Sequence, residues 1–535
     1  MRKLLYLSLV LVLMFFLGCA SVKSGTPRHV SISPYSYGLS KAKNGEERFR
    51  VLYNTHLAAV AAGGNVDYSG IKRIDLEIPN DAKSIPLTVV NDFAGVEFHV
   101  KNTKKDFFLF SYAVKSAPVV VSKQDVDRED FRHYPDLNKG RKLLVVSDDN
   151  PWVLNREGYN YGHVRKDILL LKNGVAQNRT IMPYNNNYSS PSCAFIPVNK
   201  EGMMVSHITL HRTESSTQKT FLLSINGVDG LTLEDITIHT PENHEVKDKA
   251  ITIMECTNVT FKNVIIDGTY SQTEHSGYGV SLNNIWNFKV CNMYGHGDWG
   301  VFGTNNVNVA SFEDSDINRF DIHCYGRDIS FKNVTFRDKY NQFASVYGTI
   351  QFDSCEFIHF CPINNGPSYN AYVGYDIIMN NCTFNACFGK TVLFNCGRLD
   401  NKVNVRHELS ERCLPNISIN NLTVSIEDDI PNIYLLYVKT DDNNPFRREI
   451  GYISDIFISG VKFIYKKERA PGSFYLSNVK LSIERPVNRV LENIDLIGNS
   501  KGSKRSYGSI FDKLELRSPV STKRVANVKA ISVEE

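Results

Sequence analysis

One short apolar pattern recurs about ten times between residues 203 and 463, and no other feature restricts the fold of this chain as much. Each copy has two apolar residues one apart, a two-residue polar step, then two more apolar residues one apart. Met203, Val205, Ile208 and Leu210 form the first, followed by Leu231, Leu233, Ile236 and Ile238, then by Val259, Phe261, Val264 and Ile266. Shorter copies fall at Phe288, Val290 and Met293 and at Val307, Val309 and Phe312. Later ones begin at Ile329, Ile350, Ile377, Ile417 and Ile456. Alternation is the period of a strand and the longer central step marks a corner, so one copy reads strand, corner, strand. Copies are offset by 19 to 29 residues through the first eight and by about 40 for the last two, a period that signals stacked structural repeats.

The residue before the third apolar position is, in order, His207, Asp235, Asn263, Asn292, Ser311, Asn333, Ser354, Asn381, Asn421 and Gly460. Asn, Asp and Gly tolerate a left-handed backbone, so a sharp corner turns here, and stacked coils would align these side chains into a hydrogen-bonded ladder. The pattern resembles the pectin-lyase-like superfamily. That resemblance implies an all-β fold, a single-stranded right-handed parallel β-helix with an N-terminal capping helix. The superfamily spans glycoside hydrolases, polysaccharide lyases, uronate epimerases and non-catalytic adhesins or tailspikes, so the fold does not choose the activity.

The N-terminal residues suggest export. Arg2 and Lys3 precede an apolar run too short to span a bilayer, which suits a signal peptide over residues 1–18. Leu17, Gly18, Cys19 and Ala20 resemble a bacterial lipobox, which implies lipidation of Cys19 and sorting of an exported lipoprotein to the outer membrane, on its periplasmic or cell-surface face. Residues 19–45, rich in Ser, Gly, Pro and Lys, read as a tether. Residues 46–118 should hold the cap helix and first coils: Val51, Leu52, Leu57, Ala58 and Ala61 suit a short amphipathic helix stopped by Gly63 and Gly64. The central β-helix is expected over 201–499 and a C-terminal cap over 500–535.

Residues 119–200 depart from the coil pattern and read as an inserted loop region. Trp152, Tyr159, Tyr161 and His163 lie there among Arg156, Glu157 and Asn160, a combination that can cover the apolar faces of a sugar and take its hydroxyls. An ordinary polar loop is the alternative. With 61 Lys and Arg against 57 Asp and Glu and no basic block, nucleic acid is not an expected partner. The expected partner is a polysaccharide or oligosaccharide, met by a monomer that touches the membrane only through its lipid. The 11 cysteines form no Cys-x-x-Cys pair, and Cys355 and Cys382 should stack as buried apolar fillers.

Aligning β-branched residues of the strands ahead of the repeat puts Ile251, Val280, Val301 and Ile322 in one inward file. Thr252, Ser281, Phe302 and His323 then face outward, and so do Ala250, Gly279, Gly300 and Asp321. Arg319, Asp321 and His323 share one face, and small residues in the neighbouring coils predict an open groove beside Asp321. Asp298, one coil away, would complete a pair of carboxylates, one donating a proton to the leaving oxygen and the other acting on water or sugar. Arg319 would bind an anionic substrate group, and His323 would share proton transfer. His296 lies in Gly295-His296-Gly297, which resembles the Gly-His-Gly of polygalacturonase-type hydrolases, and with Phe302 it is a candidate substrate-binding residue.

A glycoside hydrolase is therefore the first expectation. A polysaccharide lyase acting on an acidic glycan is the second, with Arg319 as base or charge neutraliser and Asp298, Asp314, Asp316 and Asp321 as possible ligands of Ca2+. A non-catalytic glycan-binding surface protein is the third. No cofactor motif is present, and no metal is assigned outside the lyase reading.

Overall fold

The computed structural model describes residues 30–101, 108–149, 164–198 apart from 182 and 185–189, 202–213, 221–240, 249–268, 278–297, and 300–396 apart from 338, 345, 359–360, 366–374 and 387–390. Beyond these it describes the segments 416–426, 432–438, 455–465, 473–477, 487–498 and 520–532. The chain is an all-β right-handed parallel β-helix. One sheet of 23 strands carries almost every coil, and each coil strand pairs in parallel with the equivalent strand of the next coil.

The strands needed below are β1 (Val90–Lys101), β2 (Met203–Arg212), β3 (Asp229–His239), β4 (Lys249–Asp267), β5 (Tyr278–His296), β6 (Gly300–Ile317) and β7 (Phe320–Arg337). The repeated apolar positions meet in register, as in Val264 against Ile236 and Met293, and all of these are buried in one continuous core. Stacked phenylalanines run through it, with Phe331 and Phe352 nearly parallel at 5.0 Å and Phe336 and Phe357 at 5.1 Å.

Corners turn where the polar positions predict. His207, Asp235, Asn263, Asn292, Asn333, Ser354, Asn381, Asn421 and Gly460 all have φ between 52° and 71°. Their side chains form the expected ladder: Asn263 donates to Asp235 and Asn292 donates to Asn263, each at 2.8 Å, and Asn421 donates to Asn381 at 3.1 Å. Ser311 is the exception. Its coil turns at Asp314, with φ 50°, because Ala310 and Phe312, not Val307 and Val309, pair with Phe288 and Val290. Asn333 donates to Asp314 at 2.6 Å and continues the ladder.

Helix α1 (Gly45–Ala62) covers the first coil. Asn44 caps it by accepting from the Glu47 amide, and Gly63 ends it in the left-handed region. Its buried face is Phe49, Leu52, Thr55, His56 and Ala59. Leu57, expected on that face, is 47% exposed. His56 takes the inner position because both ring nitrogens find partners there, Pro86 O at 2.9 Å and Tyr68 Oη at 2.7 Å.

The expected loop region instead contains a five-stranded antiparallel sheet, built from Ala117–Val119, Arg141–Asp148, Lys166–Lys172, Val175–Ala176 and Pro191–Pro197. Successive apolar residues at Leu143, Leu144, Val145 and Val146 and from Ile168 to Leu171 mean that both faces are buried. One face makes a core of its own with Phe131, Leu137 and Tyr184. The other packs on the helix beside Trp286. The Lys166 amide donates to Asn306 at 2.7 Å and Arg327 donates to Thr180 O at 3.0 Å, which docks the sheet on the corners that follow the Asp321 strand. At the C-terminus, Val520–Ser532 pairs in parallel with Val487–Gly498 and adds another coil strand.

Candidate active site

Register decides which side chains of β5, β6 and β7 leave the core. Val280 pairs with Phe302 and Phe302 with Phe320, so Phe302 lies in the inward file where Val301 was expected. Its ring is fully buried, with ring centroids 5.8 Å from Phe288, 5.3 Å from Phe312 and 5.8 Å from Phe320. Phe302 is a core residue and does not face substrate. The outward place beside it belongs to Gly303.

The same register brings Ser281, Gly303, Asp321, Gln342, Asn364 and Asn395 into one outward file across successive coils. Asn364 donates to Gln342 at 3.5 Å and Asn395 donates to Asn364 at 2.8 Å. Thr252 and Ser224 extend it in the other direction. This is a strip of hydroxyls and amides with one carboxylate in its middle.

Arg319, Asp321 and His323 do share a face. An Arg319 Nη2–H donates to Asp321 Oδ2 at 2.6 Å and to Gln342 Oε1 at 3.3 Å, and its guanidinium lies 4.7 Å from the Tyr340 ring. His323 Nε2 is 3.4 Å from Asp321 Oδ2. The groove expected beside Asp321 is closed, however: Asp321 and Arg319 are 0% and 1% exposed. Tyr278 fills the space. A Cβ on Gly303 would stand 2.4 Å from the Tyr278 ring, so the missing side chain makes room for that ring and not for a ligand.

Tyr278 was not singled out from the sequence, and it completes the site. Its hydroxyl donates to Asp321 Oδ2 at 2.6 Å, and the same oxygen is 2.6 Å from His323 Nε2. A phenol has one proton, so with that proton on Asp321 the tyrosine oxygen accepts from the imidazole N–H. The result is a relay, His323 Nε2–H to Tyr278 Oη–H to Asp321. Burial works to raise the Asp321 pKa, but the Arg319 and His323 charges and the hydrogen bonds from His323 and Tyr278 outweigh it and hold the carboxyl at about 2. The carboxylate is thus ionised at neutral pH. Its other oxygen, Oδ1, is buried with no hydrogen-bond partner among the described residues. Of the relay, His323 is the member that reaches the surface, its side chain 20% exposed.

His296 belongs to another cluster. Its Nε2 meets Asp316 at 2.9 Å, and Arg337 Nε meets Asp316 at 2.8 Å. Of the carboxylates named for Ca2+, the three among the described residues have separate partners: Asp314 is held at a corner by Asn333, Asp316 by His296 and Arg337, and Asp321 by Arg319. Asp298, Trp152, Tyr159, Tyr161, His163 and Cys19 lie outside the described residues. Cys355 and Cys382 are buried in neighbouring coils and unlinked.

No protein-family model and no curated protein sequence matches the chain. Among solved structures it is similar to the tailspike protein gp49 from Pseudomonas phage LKA1, at 12% identity and a TM-score of 0.44, over 91% of this chain and 85% of that one. It is similar also to the Gp54 tailspike of Acinetobacter baumannii bacteriophage AP22 in complex with A. baumannii capsular saccharide, at 12% identity and a TM-score of 0.42, over 84% and 77% of the two chains. A third is the Pseudomonas phage phi297 tailspike gp61, at 12% identity and a TM-score of 0.38, over 84% and 80%.

Proposed function

We propose that the protein binds a polysaccharide on the face of the β-helix where His323 and Asn395 come to the surface beside this file, and cleaves it at His323. The observation that carries this reading is the relay itself, in which an ionised, fully buried aspartate and a tyrosine orient an imidazole at the surface of a polar strip. A solenoid offers an extended lateral surface suited to a polymer, and hydroxyl and amide side chains repeated from coil to coil match repeated sugar hydroxyls. His323 is the catalytic residue, exchanging a proton with the glycan; Asp321 and Tyr278 are positioning residues that orient the imidazole. The aromatic residues Trp152, Tyr159, Tyr161 and His163 would add apolar cover for sugar rings.

Hydrolysis is favoured over elimination by one feature. Arg319, which a lyase would need to offer to a uronate carboxylate, is buried and already paired with Asp321. Because Asp321 is buried, a hydrolase of this kind would take the carboxylate that acts on water or sugar from Asp298. Export as a lipoprotein through Cys19, to the outer membrane, belongs to the same proposal.

The test is a glycan panel assayed for new reducing ends and for unsaturated, ultraviolet-absorbing products. Reducing ends without unsaturated products are expected. His323→Ala should lower turnover by roughly a hundredfold or more while the melting transition is retained, the scale of losing one acid or base. Full activity in His323→Ala would remove the relay from the chemistry, and binding without turnover by the intact protein would make it a glycan-binding protein.

A further inference from the structure

A second row of donors lies away from the relay, on the outer face of the strands that follow the asparagine corners. Asp75, His99, His211, His239, Asp267 and His296 are register partners one coil after another. The rings of His99 and His211 are stacked at 4.4 Å with 17° between their planes, and those of His211 and His239 at 5.1 Å and 21°. Glu97 stands two residues before His99 on β1 and therefore on the same face.

Three like side chains in contact are an unusual use of surface. Imidazoles side by side are what a transition metal takes as ligands. Asp75 is occupied by Arg73 at 2.7 Å, which leaves Glu97 as the acidic group on this end of the row. His99 Nε2 is buried and has no hydrogen-bond partner among the described residues; its nearest acidic atom, Glu97 Oε2, is 3.7 Å away, too far for a hydrogen bond. One donor atom each from Glu97, His99 and His211 lies within 4.8 Å of the others, the one such group of His, Cys, Asp or Glu among the described residues.

We propose that Glu97, His99 and His211 bind a divalent transition-metal ion, zinc by the chemistry of the donors. Two imidazoles and a carboxylate suit zinc, with bonds of about 2.0–2.2 Å, and small rotations of the three side chains would draw the donor atoms inward. A fourth position is left for water. Copper and nickel would also bind such donors, with copper the tighter. Calcium and magnesium, which prefer oxygen, would not compete.

The placement gives the ion a task. His99 and His211 are neighbours in space but 112 residues apart in sequence, and the antiparallel sheet is inserted between them. A metal held by both fastens β1 to β2 across the two ends of the insertion. It would stabilise the folded chain increasingly as free zinc exceeds the dissociation constant, since the unfolded chain does not hold the ligands together.

The experiment uses the full chain, stripped with a chelator and titrated with zinc chloride by calorimetry, with metal content measured after dialysis and melting followed in parallel. One equivalent of zinc at micromolar concentration and a raised melting temperature are expected, and magnesium should do neither. His211→Ala and the milder His211→Gln and Glu97→Gln should lose that equivalent and the thermal shift while melting like the metal-free parent. His207→Ala, at the separate corner cluster with Asp92 and Asp235, should keep both. Cobalt in place of zinc should give the visible absorption of a four-coordinate site. The proposal fails if the parent binds no zinc at one equivalent, or if parent and His211 variants bind it equally.

Discussion

Gly303 is the residue on which the relay depends most directly. Its missing side chain lets the Tyr278 ring lie against the strand, where the hydroxyl can reach both Asp321 and His323. Gly303→Ala places a methyl 2.4 Å from that ring, a contact that only a shift of Tyr278 can relieve. Overpacking of this sort costs about 1–3 kcal/mol. The variant is therefore expected to unfold at lower denaturant and to lose activity; a transition midpoint like the parent's would show that the ring is not held there. The sequence revealed part of this site. Spacing alone put Arg319, Asp321 and His323 on one face, because alternation in a strand is local. It did not reveal Phe302 or Tyr278. The pairing of β5 with β6 depends on the lengths of the turns between coils, and a one-residue error in register exchanges the two faces. Matching β-branched residues chose Val301, whereas the phenylalanine stack of the core chose Phe302.

At the level of elements, the corners were the most legible feature, since a left-handed residue with a side-chain ladder needs Asn, Asp or Gly at a fixed place in every coil. The histidine row was missed, although His211 and His239 each directly follow the fourth apolar residue of a copy. Val309 is a corner filled by a β-branched residue. It holds φ 62° in line with Asn287, with φ 58°, and Asp328, with φ 49°, although a β-branched residue is strained there. It is partly exposed, so little packing is lost on replacement. Val309→Asn is expected to raise stability by about 1 kcal/mol, read as a higher denaturation midpoint; a lower one would mean that the valine packs better than its backbone suggests. The cap helix carries a different dependence. Burial depresses the His56 pKa to about 4 from 6.5, with the Pro86 contact opposing it. Between those values the unfolded chain takes up a proton that the folded chain refuses. The stability due to a neutral His56 is complete above pH 6.5 and declines as the pH falls toward 4, by up to about 3 kcal/mol. His207, raised by its hydrogen bond to Asp92, works in the other sense and is common to parent and variant. His56→Gln should flatten the fall in melting temperature from pH 6.5 to 4.5, and an unchanged slope would assign it to other groups.

Over the whole molecule, a solenoid is stable as a sum of neighbouring coils, and its open ends are where it can fail. Helix α1 closes the first end by laying Phe49 and Leu52 into the same core as Ile74 and Leu76. The inserted sheet braces one side through Asn306, Asn308 and Arg327. Its apolar runs at residues 143–146 and 168–171 stand in the sequence, but without the coil period they gave no sign of which strands would pair. On the reading proposed above, the membrane is reached through a lipid on Cys19. No helix among the described residues is long and apolar enough to cross a bilayer. The lipobox-like Leu17, Gly18, Cys19 and Ala20 supply an alternative, since acyl chains on one cysteine gain about 0.8 kcal/mol for each buried methylene. Residues 19–45 were expected as the tether, but Ser31–Ile32 pairs with Asn65–Val66 and Leu39 packs against the core, so only the residues ahead of Ser31 would set the reach between membrane and fold. Cys19→Ala should leave the fold and its melting transition unchanged, because the substitution lies ahead of the helix cap at Asn44. The same protein should move from the membrane fraction to the soluble fraction of exported protein, and detergent should no longer be needed to release it. Were Cys19→Ala to remain with the membrane after high-salt washing, the attachment would lie in the folded body, and the outer face of the β-helix would have to be searched for it.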